Sequence, residues 1–393
     1  MKSISLILFV ALTTFQVQAQ YATKDPANGK YGFSDKTGKM IIPGKYDAAL
    51  DFKDSMAAVN IGGDFDQMHP FYGGKSGFID MKGKEVIPPQ FNNVMNFNGG
   101  YAAVAKDIND ETLWGFIDKK GKQVIPFKYY VHPSTPGFQN GVVPIQLKDK
   151  EGNLQFGIIN LKNQAIVPFG KYDEMDKTGF HNGLIGVMKG DTLGFVNAAG
   201  KEAISLKYYF NPEWVWGRGL PAFSEGMAKV DNKEGQIGYI NLKGVEVIPF
   251  GKYQFGEPFS EGLALVTKDK SNFFIDKTGK EVISLAPYVK AWSFEGGIAM
   301  VTKKNEEIKG GVAYGFIDKT GKEVIPAKFE KISSFSEGLA AVKLNGEWGY
   351  IDKKGTLVVP AIYAGCEPFK QGKASVYNTE GKEMIIDKMG KKM

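Results

Sequence analysis

Aromatic and charged side chains gather in one irregular segment, KYYFNPEWVWGRGLPAFSEG at 207–226. It holds Trp214, Trp216 and Arg218, the only arginine of the chain. Exposed tryptophan and tyrosine rings stack on sugar rings and anchor protein partners, because they offer a broad apolar face with a polar edge. The segment therefore predicts a surface that binds a protein or a glycan. Alternatively, the two tryptophans fill the end of a folding unit and bind nothing; the sequence leaves both interpretations open.

Two further segments combine aromatic residues with turn residues, KYYVHPSTPGFQNG at 128–141 and GGDFDQMHPFYGGKSG at 62–77. In repeat proteins such insertions form loops, often on one binding face. The residues predicted to line the binding loops are Trp214, Trp216, Arg218, Tyr208, Tyr209, Tyr129, Tyr130, His132, Phe71 and Tyr72.

Acidic residues in the same loops suggest a different chemistry. Hydrolysis of a glycosidic bond needs a pair of carboxyl groups, and Asp64, Asp66 and Glu213 are candidates. A polysaccharide-processing enzyme is therefore the alternative hypothesis. No GxSxG or other nucleophile motif occurs. The leading expectation is a protein that is not an enzyme and has no catalytic residues.

The sequence predicts no metal or cofactor site. GGKSG at 73–77 lacks the first glycine of a phosphate-binding loop, since His69 occupies that position. DFD at 64–66 and DIND at 107–110 lack the spacing and the distal glutamate of a calcium loop. The histidines have no His or Cys at ligand spacing, and Cys366 is the only cysteine, so no internal disulfide can form.

Residues 1–19 have the composition of a signal peptide. Lys2 precedes an apolar run at 4–15, and Val17 and Ala19 are small residues where a signal peptidase acts. We expect cleavage near Ala19 and a periplasmic, cell-surface or extracellular protein. No later segment approaches the roughly 18 apolar residues that a membrane span needs, so no membrane insertion is expected after cleavage.

The charge pattern does not favour nucleic acid as a partner. The net charge of +6 comes from lysines that alternate with acidic residues in turns. Protein surfaces that bind nucleic acid use clustered basic side chains and arginines that form bidentate hydrogen bonds. A protein or carbohydrate partner is the expectation that remains.

The elements that must position these loops repeat along the chain. WGFIDKKGKQVIP at 114–126 returns as YGFIDKTGKEVIP at 314–326, with a mean spacing of about 40 residues. Nine units begin near residues 31, 76, 114, 156, 193, 237, 272, 314 and 348, and a truncated copy occupies 383–391. The repeats predict one β domain over residues 20–393.

Each unit predicts a β-hairpin followed by a third strand, and the sequence leaves a fourth strand open. An Asp or Asn ends the first strand, and three residues later stands a Gly, replaced once by Asn163. The Asx side chain accepts a backbone N–H two residues on, and Gly adopts the left-handed conformation without steric cost. Apolar residues on both faces of the first strand, such as Phe116 and Ile117, require cover on both sides. The units should therefore stack.

The expected fold is all-β, with antiparallel hairpin or meander units stacked into a curved array. A closed β-propeller-like ring is the alternative; it needs enough copies to meet and usually four strands per blade. A hybrid of the two shapes, or two arrays that meet mid-chain, also fits the repeats. The variable spacing of the units favours the open array.

The repeated phrase resembles the WG-repeat family, β-rich bacterial repeats named for a Trp-Gly pair before the first strand. WGFIDKKGKQVIP at 114–126 and WGYIDKKGTLVVP at 348–360 carry the full signature. Elsewhere the Trp has changed, and the Gly persists except at Phe273. The resemblance implies a binding or scaffolding protein, and the family brings no catalytic residues.

Overall fold

The computed structural model describes residues 20–35, 37–65, 70–132, 134–211, 219–308, 310–370 and 372–393. Within these ranges the chain forms antiparallel β-sheets and no α-helix, so the described part contains no helix able to cross a membrane. The all-β expectation is confirmed.

In the part of the chain that the structure describes, the strands form nine sheets. In the N-terminal half they are β1 (Tyr21–Lys24), β2 (Tyr31–Ser34) and β3 (Met40–Tyr46); β4 (Ala48–Ala49), β5 (Met56–Phe65), β6 (Phe71–Asp80) and β7 (Glu85–Phe91); β8 (Asn93–Val94), β9 (Tyr101–Ile108), β10 (Glu111–Asp118) and β11 (Gln123–Tyr129); and β12 (Val142–Lys148), β13 (Leu154–Asn160) and β14 (Ala165–Val167).

A seven-stranded sheet follows, because one bridge between β18 and β19, Tyr209 with Asp231, joins two meanders. Its strands are β15 (Glu174–Met175), β16 (Leu184–Lys189), β17 (Thr192–Asn197), β18 (Glu202–Tyr209), β19 (Met227–Asp231), β20 (Ile237–Asn241) and β21 (Glu246–Tyr253).

The remaining four sheets repeat the earlier pattern. Their strands are β22 (Phe255–Gly256), β23 (Ala264–Lys268), β24 (Ser271–Ile275) and β25 (Glu281–Ser284); β26 (Lys290–Ala291), β27 (Ile298–Lys304), β28 (Val312–Asp318) and β29 (Glu323–Phe329); β30 (Lys331–Ile332), β31 (Leu339–Leu344), β32 (Glu347–Asp352) and β33 (Leu357–Tyr363); and β34 (Gly365–Cys366), β35 (Lys373–Tyr377) and β36 (Glu383–Asp387).

Each sheet is offset from the sequence repeat. In the sheet β8-β9-β10-β11, the first two strands come from the unit that begins near 76. The other two form the hairpin of the next unit, near 114. A two-residue strand thus adds the fourth strand that the sequence left open, and one residue, Asn92, connects β7 to β8 in the following sheet.

The predicted turn is confirmed. Asp118 Oδ1 accepts the backbone N–H groups of Lys120 and Lys122, each at 2.9 Å, and Gly121 has a φ of +81°. Asn163, which replaces the glycine once, has a φ of +59°. The side chain of the Asx residue therefore holds the turn, and the residue three positions later supplies the left-handed backbone.

The glycine of the Trp-Gly pair avoids a steric clash with the neighbouring strand. Trp114 lies opposite Tyr129 and Phe116 opposite Ile125, so β11 bulges by two residues at Gly115. A Cβ on Gly115 would lie 2.6 Å from the carbonyl oxygen of Ile125. Where Phe273 replaces this glycine, the register passes from Phe273–Ser284 to Phe274–Ile283 without a bulge.

The core between neighbouring sheets is aromatic. In several units the Phe that follows the short strand packs on an aromatic residue of the hairpin, as in Phe78–Phe97 and Phe274–Phe294, whose ring centroids lie 4.7 Å apart. These rings are fully buried. Such packing couples each sheet to the next and explains why single units cannot bury their apolar faces alone.

The two ends of the array meet. Lys373 Cε of β35 lies 3.3 Å from the position that a Cβ would take on Gly38, in the turn between β2 and β3. The array of stacked units therefore curves until its first hairpin touches its last sheet.

Candidate functional site

A groove of about 870 Å³ lies between the edges of neighbouring sheets in the N-terminal half. We call it the Tyr72 groove; the lining residues discussed below are Tyr72, Asn93, Asp107, Glu111, Tyr130 and His132. It contains four of the ten residues predicted from the sequence, namely Phe71, Tyr72, Tyr130 and His132.

The hairpin β5–β6 carries Tyr72 into the groove. It is longer than a usual unit hairpin, and Tyr72 pairs with Asp64 near its end. Because side chains alternate along a strand, Phe71 is 1% exposed whereas the Tyr72 ring is 74% exposed. An aromatic ring this open has a free face for a ligand.

A fixed carboxylate forms one wall. Glu111, at the start of β10, accepts a hydrogen bond from the Tyr130 hydroxyl and pairs with Lys148 Nζ. Lys148 Nζ also lies 5.0 Å from the centroid of the Tyr130 ring. The hydrogen bonds from Lys148 and Tyr130 lower the pKa of Glu111. The pKa of Tyr130 is raised, mainly by burial and also by its hydrogen bond to Glu111. Glu111 is therefore an ionised acceptor at neutral pH.

A second carboxylate, Asp107, is held by polar neighbours. Thr112 Oγ1 donates to Asp107 Oδ1 at 2.7 Å, and Asn92 Nδ2 donates to Oδ2. Asn93 Nδ2 donates to the carbonyl oxygen of Phe71 at 2.7 Å, which ties β8 to the long hairpin. These bonds fix planar carboxylate and amide groups around the exposed ring.

His132 lies at the far end of the groove. Its Nδ1 accepts the backbone N–H of Ser134 at 3.1 Å, which fixes the ring against the loop. Among the residues that the structure describes, no three His, Cys, Asp or Glu side chains are placed to share a metal ion.

Three of the predicted residues serve the fold instead. Tyr129 and Tyr208 are buried, and their hydroxyls donate to Asn163 Oδ1 at 2.6 Å and to the Gly244 carbonyl at 3.1 Å in the next unit. Phe71 is buried beside the groove. The prediction that these three rings contact a ligand is corrected, because burial hides their faces. Tyr209 is half-buried in β18, away from the Tyr72 groove.

Trp214, Trp216 and Arg218 lie outside the described residues, as do Asp66 and Glu213 of the enzyme hypothesis. Asp64 is described: it is exposed, and its Oδ1 accepts the backbone N–H of Phe65 at 2.7 Å.

Sequence reasoning missed Asp107, Glu111 and Asn93 as groove residues. Asp107 belongs to the DIND segment, whose acidic residues suggest a calcium loop more readily than a sugar-binding groove. The available signal was position: 107–112 is the tip of the β9–β10 hairpin, which lies between the predicted 62–77 and 128–141 segments in the sequence.

Comparisons with solved structures give only distant similarity. The extracellular domain of a putative hybrid two component system from B. thetaiotaomicron aligns with 95% of this chain and 53% of its own, at 8% identity and a TM-score of 0.27. This chain thus spans about half of that protein's length.

Two other matches are the WD40 beta propeller domain of Doa1 and apo AztD from Citrobacter koseri. The first is 11% identical over 75% of this chain and 95% of that one, with a TM-score of 0.27. The second is 12% identical over 76% and 92%, with a TM-score of 0.28. TM-scores this low do not establish a shared fold. No curated protein matches the chain.

A sequence model described as "WG containing repeat" matches most of the chain. The matched residues are 31–63, 77–107, 114–150, 156–192, 237–270, 273–306, 314–348 and 348–382. The unmatched stretch between 192 and 237 is the unit interrupted by the tryptophan-rich insertion. Together with the bulge at the Trp-Gly glycine and the stacked meanders, these matches show that the chain belongs to the WG-repeat family.

Proposed function

We propose that this WG-repeat protein is an exported, non-enzymatic scaffold that binds an oligosaccharide in the Tyr72 groove. The observation that carries the proposal is the Tyr72 ring, 74% exposed beside fixed carboxylate and amide groups. A flat aromatic face can stack on a sugar ring, while oxygen acceptors and amide donors match its hydroxyls. The groove also spans more than one sheet, which suits an extended chain.

Hydrolysis is less well supported than binding. A glycosidase needs one carboxyl group whose raised pKa lets it donate a proton. The pKa of Glu111 is lowered by Lys148 and Tyr130, so this side chain is a hydrogen-bond acceptor and a poor proton donor. The groove therefore favours retention of a glycan over its cleavage.

The experiment is calorimetric titration of the mature protein with neutral oligosaccharides first selected on a glycan array. Tyr72→Ala should weaken binding of the selected glycan about tenfold or more, because it removes the stacking face. Trp292→Ala removes an exposed aromatic outside this groove and should leave that affinity unchanged. Equal affinities of Tyr72→Ala and the unmodified protein, or cleavage lost in Glu111→Gln, would contradict the proposal.

Export is proposed from Lys2, the apolar run at 4–15 and Ala19. Mass spectrometry of the protein from the periplasmic or culture fraction of its own cells should give a chain that begins at Gln20. A cytosolic protein that retains Met1 or Lys2 would contradict it.

A further inference from the structure

Acidic residues in one loop pair with lysines two units away. Glu261, third residue of the FSEG loop at 259–262, accepts the backbone N–H of Gly297 at 3.0 Å and lies 3.1 Å from Lys319 Nζ. The same set recurs as Glu225 with Gly262 and Lys277, as Glu337 with Gly372 and Lys388, and as Asp54 with Gly100 and Lys119. We call these the loop–lysine pairs.

Where the loop position is neutral, the matching turn position is usually neutral too. The neutral combinations are Gly99 with Leu161, Asn140 with Ala198, and Asn182 with Leu242. At this site of the repeat a lysine therefore usually comes with an acidic partner, although the paired lysine side chains are between 40% and 45% exposed.

Lys353 breaks this rule. Its loop position is Gly296, and Lys353 Nζ lies 3.2 Å from the place that a Cβ would take there. Within the described ranges, no carboxylate lies within ion-pair distance of Lys353. This copy of the repeat has the lysine, Lys353, but lacks the acidic loop residue that pairs with it in other copies.

The uncompensated ammonium lines a groove of about 1000 Å³ that we call the Trp292 groove, formed chiefly by Phe255, Lys290, Trp292, Glu295, Phe335 and Lys353. It lies at the unit in which Phe273 replaces the glycine and β25 ends early, at Ser284. Trp292 is 39% exposed, and its ring packs at a tilt against Tyr314, with centroids 6.2 Å apart. A cation and an open indole thus share one cleft.

We propose that the Trp292 groove binds an acidic oligosaccharide, with a uronic-acid carboxylate on Lys353 and a sugar ring against Trp292. The ligand's carboxylate would take the place of the missing loop acid. Glu257 and Glu295 also line the groove, whereas Glu337 is already engaged by Lys388. These carboxylates accept sugar hydroxyls and repel densely charged chains, so they favour a ligand with one carboxylate per sugar over a sulfated polymer.

The sharpest test supplies the missing carboxylate from the protein itself. Gly296 has a φ of +62°, close to the +53° that Glu261 adopts in its own loop, so Gly296→Glu fits this backbone. The new side chain should pair with Lys353 and compete with the ligand. We expect affinity for oligogalacturonate, measured by calorimetric titration, to fall about tenfold, while the melting temperature does not decrease.

Two lysine variants complete the design. Lys353→Met should cause a similar loss of oligogalacturonate binding. Lys319→Met removes a paired lysine outside the groove; it should lower the melting temperature and leave the affinity unchanged.

Unchanged affinity for oligogalacturonate in both Gly296→Glu and Lys353→Met would overturn the proposal. Binding of a poly-glutamate peptide, with no binding of oligogalacturonate by the unmodified protein, would overturn it as well, because the partner would then be an acidic protein. Equal binding of oligogalacturonate and neutral glucan oligomers would show that the ammonium is not used.

Discussion

Gly115 is constrained by its neighbour and not by its own backbone angles. Its φ is not positive, so an L-residue could adopt the conformation. The obstacle is the carbonyl oxygen of Ile125, 2.6 Å from a would-be Cβ. The glycine of the Trp-Gly signature is therefore required by a bulge in the facing strand. Where Phe273 replaces this glycine, the bulge is absent as well.

Gly115→Ala should destabilise the protein by about 1 to 3 kcal/mol, because the added methyl group must displace backbone. Urea denaturation followed by tryptophan fluorescence measures the change. Gly365→Ala is the matched control, since a Cβ there first meets the Tyr377 ring at 3.3 Å and no backbone atom. A loss as large in the control would show that strand glycines matter for another reason.

The turn aspartates predict a pH dependence. Hydrogen bonds from Thr37, Thr278 and Thr320 lower the pKa values of Asp35, Asp276 and Asp318 below the usual value of 3.8. A carboxyl group whose pKa is lower in the folded state stabilises that state above its unfolded pKa. This stabilisation is lost as pH falls through the folded-state pKa.

Replacing these three aspartates by asparagine should therefore reduce the fall in melting temperature between about pH 5 and about pH 3. Asparagine keeps the turn bonds at every pH, as Asn197 and Asn241 do in their own units. The reciprocal variant Asn197→Asp should make the fall steeper. Parallel melting curves for all three proteins would contradict the assignment.

At the scale of elements, the aromatic pair between sheets holds the array together. Tyr239 in β20 and Phe259, in the loop between β22 and β23, pack with centroids 5.3 Å apart. Phe259 is 1% exposed, whereas Phe255, four residues earlier, is 43% exposed. Two phenylalanines four residues apart thus have opposite surroundings.

Phe259→Ala should cost about 3 to 5 kcal/mol, because it leaves a cavity between two sheets. Phe255→Ala should cost less than about 1 kcal/mol, since its ring is largely in solvent. Thermal and urea unfolding of both variants measure the difference. Similar losses would mean that the loop does not couple the sheets.

Hairpins and turns were predictable because their signals are local. Asp118, Gly121 and the flanking apolar residues suffice to place one hairpin. The two-residue strands could not be predicted, because a strand such as Asn93–Val94 is too short to give a periodic signal. The grooves could not be predicted either: Tyr129 and Tyr130 are adjacent and alike, and only the facing sheet decides which ring is buried.

At the scale of the whole molecule, the curvature of the array follows from a rotation repeated at each sheet. Repeat length reports the number of units but not that rotation, so the sequence could not decide how closely the ends approach. The contact between Lys373 and Gly38 shows that the two ends of the array meet.

A short amine-reactive cross-linker should join Lys373 to Lys39, the neighbour of Gly38, within one molecule. Peptide mass spectrometry of the monomer fraction detects the link. Lys39 should form no link to Lys207, which lies in a unit midway along the array. If Lys373 and Lys39 were linked only in dimers, the ends would meet between molecules.

The half-unit offset between sequence repeat and sheet bears on how such genes grow. A tandem duplication of one period adds one complete sheet wherever the breakpoints fall, because each sheet is assembled from two adjacent periods. The loop–lysine pairs join residues two periods apart, so the same duplication can change which loop faces which lysine. Copying a period at a junction between charged and neutral loops would leave a lysine opposite an uncharged loop, which is the combination found at Lys353 and Gly296. Unequal recombination can thus create an anion-binding position without a new point mutation.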